Sequence, residues 1–373
     1  MVVAVALAAP VARSYASALT APGSQAWTVR SVEWIRDHGG SGLVDTVERT
    51  WYRHHKPRVG GVPLRGPLAP RHISAGVPVL RPPPPPAVRA NPRLGANIVP
   101  LALPTLDGEG VWHPVALASG GMAAIYTTYL RPDPVHTSIT TGVAWMDTSL
   151  LSMEMYAGAR EPGGGPWRHE ALVEPQVRDK LVAAFNSGFR LRQSRGGYYA
   201  EGRLRAPLAD GAASLVIDDT GHATVGVWGR DIGMGPHVSA VRQNLALIVD
   251  GGVPVPGLEE NIRARWGWTL GNGLLVWRSG VGVDRRGGLV YAAGGGLSAT
   301  SLAKVLAAAG AVRAMELDIN AAWVSYYVYQ TLSPGASASD PPGPPEKLLS
   351  DMRHGPQRYL EPCERDFFAL FRR

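Results

Sequence analysis

The chain has 373 residues, of which 18% are charged, and it is rich in glycine (45) and proline (32), a composition that favours turn-rich β structure over long helices. The net charge is +7, and because there are four lysines, 33 of the 37 basic residues are arginine. The arginines are dispersed rather than gathered in an arm, so we expect no nucleic-acid partner. A single cysteine, Cys363, excludes an intrachain disulfide and a cysteine-based metal site.

Residues 1–26 resemble a signal sequence or a membrane anchor. The apolar run MVVAVALAAPVA is followed by Ala16-Ser17-Ala18, which is similar to an Ala-x-Ala cleavage site, although the usual basic residues before the run are missing. The apolar run falls short of the roughly 20 residues that span a bilayer. We predict an extracytoplasmic protein, secreted or anchored to the membrane through its N-terminus. A buried or frayed terminal helix is the alternative.

The next two segments predict a spacer between an anchor and a working domain. Residues 27–56 carry apolar residues at helical spacing, interrupted by Gly39-Gly40, which predicts a short helical segment. Residues 57–95 form a linker, with five consecutive prolines at 82–86 that impose extended polyproline geometry. Residues 96–373 are then expected to form one globular domain.

This domain is predicted to be α+β, with a mixed or antiparallel sheet and packed helices. A strand is expected at 142–151, continuing to 157, and hairpins are expected at 213–228, 244–255 and 272–291. Residues 172–185 show a helical repeat. Residues 298–309 form the clearest helix, with Ser298 as its N-cap and Gly310 as its stop.

The strand that follows this helix, AVRAMELDIN at 311–320, organises the functional prediction. Alternation places Met315, Leu317 and Ile319 on one face and Glu316, Asp318 and Asn320 on the other. We expect the helix at 298–309 to cover the apolar face. Because carboxylates are costly to bury without compensation, the polar face then predicts a site facing cations, donors or a substrate.

Four motifs in this order resemble the phosphodiester glycosidase family. They are NSGF at 186–189, RQN at 242–244, RSGVGV at 278–283, and the helix with its strand at 297–320. The resemblance covers roughly residues 180–325. This chain departs from the family's Leu-Asp-Gly-Gly-Gly-Ser motif after Asp318, where Ile319-Asn320 replace the first two glycines. It also has Ser187 in place of a glycine and Arg190 in place of a second aromatic residue.

The resemblance implies a hydrolase of sugar-1-phosphodiesters or related glycosidic linkages in envelope or extracellular glycans. Such a site needs cations on the phosphate and negative charge near the sugar's anomeric carbon. Arg278, with Arg242 as a second candidate, would hold the phosphate. Asp318 or Glu316 would activate water or stabilise the developing cation. The remaining candidates would contact the sugar: Asn186, Asn244, Asn320 and Trp323.

Each of these residues also has a structural interpretation. Glu316 or Asp318 could form a buried ion pair with Arg278. Arg242 and Asn244 could orient a hairpin, Asn186 could form a turn, and Trp323 could pack in the core. The alternative function is a non-catalytic envelope protein that binds a glycan or a protein partner. In either case the expected ligand is a glycan or glycoconjugate, no cofactor is required, and no metal site is indicated.

Overall fold

A computed structural model describes residues 2–21, 25–63, 88–262, 265–267, 275–332 and 341–373. The N-terminal part holds three helices, α1 (Val2–Leu19), α2 (Trp27–Ile35) and α3 (Ser41–His54). Between α2 and α3 the chain kinks at Gly39, whose φ of 87° lies in the left-handed region that favours glycine. The helical segment predicted at 27–56 is therefore confirmed, including its break at Gly39-Gly40.

No helix in these ranges is both long enough and apolar enough to cross a membrane. Most of the predicted proline linker, residues 64–87, lies outside the described residues. The same holds for part of the third predicted hairpin, at residues 272–274.

From residue 113 onward the described chain is dominated by strands. They are β1 (His113–Leu117), β2 (Ala123–Leu130), β3 (Thr141–Met146), β4 (Leu151–Tyr156), β5 (Leu181–Asn186), β6 (Tyr198–Ala200), β7 (Arg203–Ala206), β8 (Ala213–Asp218), β9 (Ala223–Val227), β10 (Val238–Gln243), β11 (Leu247–Asp250), β12 (Val253–Pro254), β13 (Val276–Asp284), β14 (Leu289–Leu297), β15 (Ala311–Glu316), β16 (Tyr326–Val328), β17 (Glu346–Lys347) and β18 (Phe367–Arg372). Two helices lie among them, α4 (Leu191–Ser194) and α5 (Ala299–Ala308), with short 3₁₀ turns at Pro175–Val177 and Pro356–Tyr359.

The strands form three sheets. The first has the order β1-β2-β3-β14-β13-β15-β11-β12, the second β7-β6-β10-β8-β9, and the third β17-β16-β5-β18-β4. Every pairing between these strands is antiparallel. One apolar core joins the sheets, with Met315 from the first, Leu215 from the second and Phe185 from the third. The predicted combination of helices and sheets is thus present, with antiparallel sheets as its dominant part.

Several local predictions are confirmed. Strands β8 and β9 form the hairpin expected at 213–228, and β11 and β12 form the hairpin expected at 244–255. Strands β13 and β14 pair across the turn expected at 285–288. Ser298 caps α5, accepting a hydrogen bond from the Ser301 amide, while the Ser301 hydroxyl accepts one from the Ser298 amide. This reciprocal pair satisfies two amides at the helix start.

The helix predicted at 172–185 is wrong. The structure has the 3₁₀ turn Pro175–Val177 and then strand β5, whose six residues are all buried between β16 and β18. A continuous apolar run is compatible with either a buried helix or a buried strand, and here sheet pairing decides. The single strand expected from 142 to 157 is also wrong, because a turn at Asp147 sends β3 into the first sheet and β4 into the third.

Helix α5 packs on the opposite face of β15 from the one predicted. Gly280 pairs with Glu316 across β13 and β15, and directly opposed residues share a face. A Cβ added to Gly280 would lie 2.9 Å from Leu306 of α5. The helix therefore covers the side of Glu316, while Met315 and Leu317 fill the core between the sheets.

Candidate functional site

A small pocket lies where the ends of β5 and β15 meet the segment before β18. It is lined by Asn186, Ser187, Gly188, Asp318, Trp323, Arg358, Tyr359, Cys363, Arg365 and Asp366. Its cavity volume is about 10 Å³, which is the space of about one water molecule. The pocket thus brings together three of the predicted residues, namely Asn186, Asp318 and Trp323.

Strand register explains why distant parts of the sequence meet here. Strand β18 runs antiparallel to β5, with Phe367 opposite Asn186. Residues just before Phe367 therefore lie beside residues just after Asn186. On the other side, the backbone amide of Asp318 donates to the carbonyl of Ser187 at 3.2 Å. Backbone hydrogen bonds of these two pairings therefore hold the segments that line the pocket in place.

Asn186 is buried, and protein groups occupy both ends of its amide. Its Nδ2 donates to the Ser187 carbonyl at 2.9 Å and to the Ser279 hydroxyl at 3.0 Å. Its Oδ1 accepts from the Tyr291 hydroxyl at 2.9 Å and from the Ser325 amide at 3.0 Å. With these four bonds, Asn186 ties together the strands and loops around the pocket.

Asp318 is the buried acid of the pocket. Its Oδ2 accepts from Arg365 Nη2 at 3.0 Å, and its Oδ1 accepts from the Asn320 amide at 2.9 Å. Burial raises the pKa of the Asp318 carboxyl above its ordinary 3.8, although Arg365 and the backbone amides oppose this shift. Asp318 is therefore held by donors on both oxygens and yet is easier to protonate than an exposed aspartate.

Two arginines from the segment before β18 lie close to the indole of Trp323. The guanidinium carbon of Arg358 lies 5.2 Å from the Trp323 ring centroid, and that of Arg365 lies 5.0 Å from it. Arg358 donates to the Ala322 carbonyl at 2.8 Å, and Arg365 donates to the Gly188 carbonyl at 2.9 Å. Both arginines are buried, so the pocket carries their two positive charges beside two carboxylates, Asp318 and Asp366.

The pocket lining also contains buried polar atoms without a hydrogen-bond partner among the described residues. They are Ser187 Oγ, Arg358 Nε, Arg365 Nε and Asp366 Oδ1. An unpartnered buried polar group is costly, so native proteins pair most of them with protein, water or a ligand. The two guanidinium donors and the hydroxyl favour an anionic, oxygen-rich ligand. Asp366 Oδ1, in contrast, requires a hydrogen-bond donor from the ligand.

Arg278 and Glu316 do not line this pocket. Arg278 Nη1 pairs with Glu316 Oε1, and Arg278 Nε donates to the Leu297 carbonyl at 3.0 Å. Both side chains are fully buried. Burial raises the pKa of the Glu316 carboxyl, while Arg278 opposes the shift. The structure thus places these two residues in the buried ion pair that was the alternative interpretation of them.

Arg242 and Asn244 brace the loop behind the pocket. Arg242 Nε donates to Asp366 Oδ2 at 2.7 Å, and its Nη2 donates to the Phe189 carbonyl. Asn244 accepts from the Phe189 amide at 3.1 Å and donates to the Glu316 carbonyl at 2.8 Å. Both side chains orient backbone, and neither lines the cavity.

Asn320 shapes the turn that follows Asp318. Its side-chain oxygen accepts from the Ala322 amide at 2.9 Å, while its backbone amide binds Asp318 as described above. The side chain lies outside the lining of the cavity. Asn320 therefore supports the pocket through its turn.

No sequence motif identifies the segment that contributes the remaining lining residues, namely Arg358, Tyr359, Cys363, Arg365 and Asp366. A signal was present, because the charged stretch EPCERD at 361–366 directly precedes the aromatic residues of β18. Charged residues at the end of a buried strand are candidates for a site. In the described part of the chain, no group of three or more His, Cys, Asp or Glu residues is placed to hold a metal ion.

The N-terminal helices contact the rim of the pocket, two residues beyond Gly188. Arg190 pairs with Glu33 of α2 and, at 2.5 Å, with Asp37. Arg192 pairs with the same Asp37 oxygen at 2.8 Å. Burial, together with the nearby Arg365 and Arg192, lowers the pKa of Arg190 to about 10. Acidic residues of the N-terminal segment therefore neutralise cations at the rim.

Comparison with known proteins yields structural likeness alone. No family model and no curated protein matches the sequence. One similar solved structure is the zebrafish N-acetylglucosamine-1-phosphodiester alpha-N-acetylglucosaminidase catalytic domain, auto-inhibited by its pro-peptide. The TM-score is 0.42 at 16% identity, over 71% of this chain and 89% of that chain. Another is a hypothetical protein from Synechocystis, with a TM-score of 0.39 at 12% identity, over 71% of this chain and 65% of that chain.

Proposed function

We propose that this chain is an extracytoplasmic hydrolase of glycosidic linkages that carry an anionic group, with sugar-1-phosphodiesters of envelope or extracellular glycans as the substrate class. The observation that supports this proposal is the grouping of a buried aspartate, Asp318, with two buried arginines, Arg358 and Arg365, in one pocket. The second carboxylate of the pocket, Asp366, is paired with Arg242. Two cations beside the Asp318 carboxylate suit a linkage that combines a phosphate with a reacting carbon.

The arginines of this proposal differ from those suggested by the sequence. Arg278 is committed to Glu316, whereas Arg358 and Arg365 each have an unpartnered Nε in the pocket. Their guanidinium groups would bind the non-bridging oxygens of the phosphate. Both groups lie near the Trp323 ring, 5.2 and 5.0 Å from its centroid, and this contact would help to orient them.

Asp318 would act on the sugar side of the linkage. Its ionised carboxylate accepts a proton from water as that water attacks the anomeric carbon. The bond between that carbon and the bridging oxygen breaks, and its electron pair leaves with the oxygen on the phosphate. The products are the free sugar and a phosphomonoester, and the proton rests on Asp318. Phosphate is a good leaving group, so this scheme needs no separate general acid.

Hydrolysis in ¹⁸O-labelled water tests the proposal. The substrates are alkyl phosphodiesters of glucose 1-phosphate and N-acetylglucosamine 1-phosphate. We expect the label to appear in the released sugar, because the carbon–oxygen bond is the one that breaks. Label in the phosphate would identify a phosphodiesterase instead, and no release from any substrate would contradict the hydrolase proposal.

The matched variants are Asp318→Asn and Glu109→Gln. Glu109 is also a buried carboxylate paired with an arginine, Arg131 at 2.9 Å, but it lies outside the pocket. We expect Asp318→Asn to lose turnover by about 10²–10⁴-fold, the usual range for a general base, and Glu109→Gln to keep it. Equal turnover in both variants would remove Asp318 from the mechanism.

A second candidate function is a non-catalytic protein that binds a glycan or a protein partner. Two observations favour it, namely the cavity of about 10 Å³, which is too small for a sugar ring unless side chains move, and Asn320 in place of a glycine. Calorimetry with the same phosphodiesters separates the two functions. Saturable binding by the unmodified chain, with no product released, would support the binding protein over the hydrolase.

A further inference from the structure

The two carboxylate oxygens of Asp366, in the pocket lining, have different surroundings. Oδ2 accepts from Arg242 Nε at 2.7 Å. Oδ1 is buried and has no hydrogen-bond partner among the residues that the structure describes. The backbone of Asp366 is held in place, because its carbonyl accepts from the Ser187 amide at 3.3 Å. The carboxylate is therefore anchored through one oxygen and leaves the other as an unused acceptor.

Asp318 lines the same pocket but needs no donor from a ligand. Its two oxygens already accept from Arg365 and from the Asn320 amide. An ionised carboxylate can only accept hydrogen bonds, and a buried acceptor that is left without a donor is costly. Of the two carboxylates, Asp366 is therefore the one that selects for a donor on the ligand.

The unpartnered arginine atoms of the lining have the opposite requirement. Arg358 Nε and Arg365 Nε are donors, so each needs an acceptor oxygen. An ionised phosphodiester supplies such oxygens but carries no hydrogen that it can donate. A ligand that satisfies both arginines and Asp366 therefore joins a phosphate group to a second group that bears a hydrogen-bond donor.

The size of the cavity limits what this donor can be. The volume of about 10 Å³ admits one water molecule, which could itself donate to Asp366 Oδ1. A ligand that enters must displace such a water, and it loses affinity when it does not reproduce the hydrogen bonds of the water. The replacement donor must therefore be small and must lie close to the carbon that Asp318 faces.

We infer that Asp366 is a specificity-determining residue that accepts a hydrogen bond from the hydroxyl on carbon 2 of the substrate sugar. This inference rests on the proposed function, in which Asp318 faces the anomeric carbon. The anomeric carbon is bonded to two ring atoms, the ring oxygen and carbon 2. The ring oxygen can only accept, so the donor beside the reacting carbon is on carbon 2. A hydroxyl suits a cavity of this size better than the larger acetamido group does.

Binding of non-hydrolysable analogues tests the inference on the unmodified chain. The analogues are methyl esters of a glucosyl phosphonate, in which a methylene group replaces the bridging oxygen. Carbon 2 carries a hydroxyl, a hydrogen, a fluorine or an acetamido group, and calorimetry measures each Kd. We expect the hydrogen and fluorine analogues to bind about 10–100-fold more weakly than the hydroxyl analogue, since each loses a hydrogen bond to a charged group. Fluorine is decisive because it is polar but cannot donate.

Three results would overturn the inference. Equal affinity for the hydroxyl, hydrogen and fluorine analogues would show that a retained water satisfies Asp366. Tighter binding of the acetamido analogue than of the hydroxyl analogue would exclude the hydroxyl as the selected group. Binding of none of the analogues would show that the pocket does not recognise the sugar.

These results are separable from those on the hydrolase, which hydrolysis in ¹⁸O-labelled water tests by itself. Product release without a preference among the analogues would refute the role of Asp366 alone. The expected preference without product release would refute the hydrolase alone.

Two variants assign the preference to a residue. In Asp366→Asn the side-chain oxygen stays opposite the Arg242 donor, so an NH₂ group takes the place of Oδ1. Because a donor then replaces an acceptor, the preference for hydroxyl over fluorine should fall to about twofold or less. The control, Tyr198→Phe, removes another buried hydroxyl without a partner in the described part of the chain, near Asp366 but outside the pocket lining. It should keep the full preference.

Retention of the preference in Asp366→Asn would overturn the assignment to Asp366. Loss of the preference in Tyr198→Phe would overturn it as well, because the Tyr198 hydroxyl would then be a partner on which the site depends. The analogue series requires no substitution, so it decides the inference even if Asp366→Asn does not fold.

Discussion

Two buried pairs of arginine and carboxylate lie at the end of β15, and they differ in what covers them. Arg278 and Glu316 are both 0% exposed, on the side of the sheet that α5 covers. Arg365 and Asp318 are 9% and 6% exposed and line the pocket. Two carboxylates separated by one residue therefore have different environments.

The difference arises because regular strand geometry ends at Glu316. Beyond this residue the Asp318 amide bonds to Ser187 of the loop after β5, and the Asp318 carboxylate turns to donors from another segment. Alternation alone predicts that Glu316 and Asp318 lie on the same face of the strand and belong to the same site. A buried ion pair near a pocket is therefore assigned a role in the site only when one of its side chains lines the cavity.

The largest expected effect concerns the covered pair. Arg278→Met leaves Glu316 buried without its partner, and we expect the free energy of unfolding to fall by about 3–5 kcal/mol. The double variant Arg278→Met/Glu316→Leu removes both charges and should recover most of this loss. Urea denaturation monitored by circular dichroism measures both values. A double variant as unstable as the single one would show that the charges themselves are needed.

The next effect concerns the pair in the pocket, Arg365 and Asp318, and it is measured as a change in catalytic activity. Arg365→Ala should lower kcat/KM for a sugar-1-phosphodiester by about 10²–10³-fold, as expected when one donor to developing charge is lost. The control is Arg203→Ala, which also removes an arginine stacked on a tryptophan, 3.9 Å from the Trp167 ring, but outside the pocket. Similar losses in both variants would argue against a role of Arg365 in binding phosphate.

A third effect concerns the pH dependence of stability that Asp318 contributes. Burial raises the pKa of the Asp318 carboxyl in the folded state, so the folded protein binds this proton more tightly than the unfolded chain does. The stability that this proton contributes is fully present below pH 3.8 and is lost as the pH rises through the raised pKa. Asp318→Asn cannot ionise, so its stability relative to the unmodified chain should increase as the pH rises from 3.8 to neutral. Denaturation series across this range measure the difference, and a constant difference would contradict the raised pKa.

The smallest effect concerns the rim. Asp37 is 33% exposed, and pairs this close to solvent contribute at most about 1 kcal/mol. We expect Asp37→Asn to weaken the docking of α2 by no more than that, detectable as faster hydrogen exchange in residues 27–40 with unchanged exchange in β5. Glu33 is 4% exposed, so Glu33→Gln should have the larger effect of the two. The reverse order would mean that exposure does not control these pairs.

The sequence was sufficient to predict those elements that depend on a few adjacent residues. Turn residues identified the hairpins, and Ser298 and Gly310 marked the ends of α5, because caps and turns depend on a few adjacent residues. Motif order grouped Asn186, Asp318 and Arg278 in one site, and of these Asn186 and Asp318 line the pocket whereas Arg278 does not. It did not identify Arg358 and Arg365, because they follow no motif and reach the pocket only through the register of β18 against β5. The burial of Arg278 likewise depends on which face α5 covers, which alternation within one strand does not determine.

The position of β18 has a consequence for how the site assembles. This strand lies inside the third sheet, between β5 and β4, although β5 and β4 both precede it by far in the sequence. A chain that has been synthesised only as far as residue 351 therefore contains neither Arg358 nor Arg365 and lacks an inner strand of that sheet. Pairings over such long sequence separations form late and slowly. Incomplete chains that end before the segment around residue 370 would therefore lack the complete site.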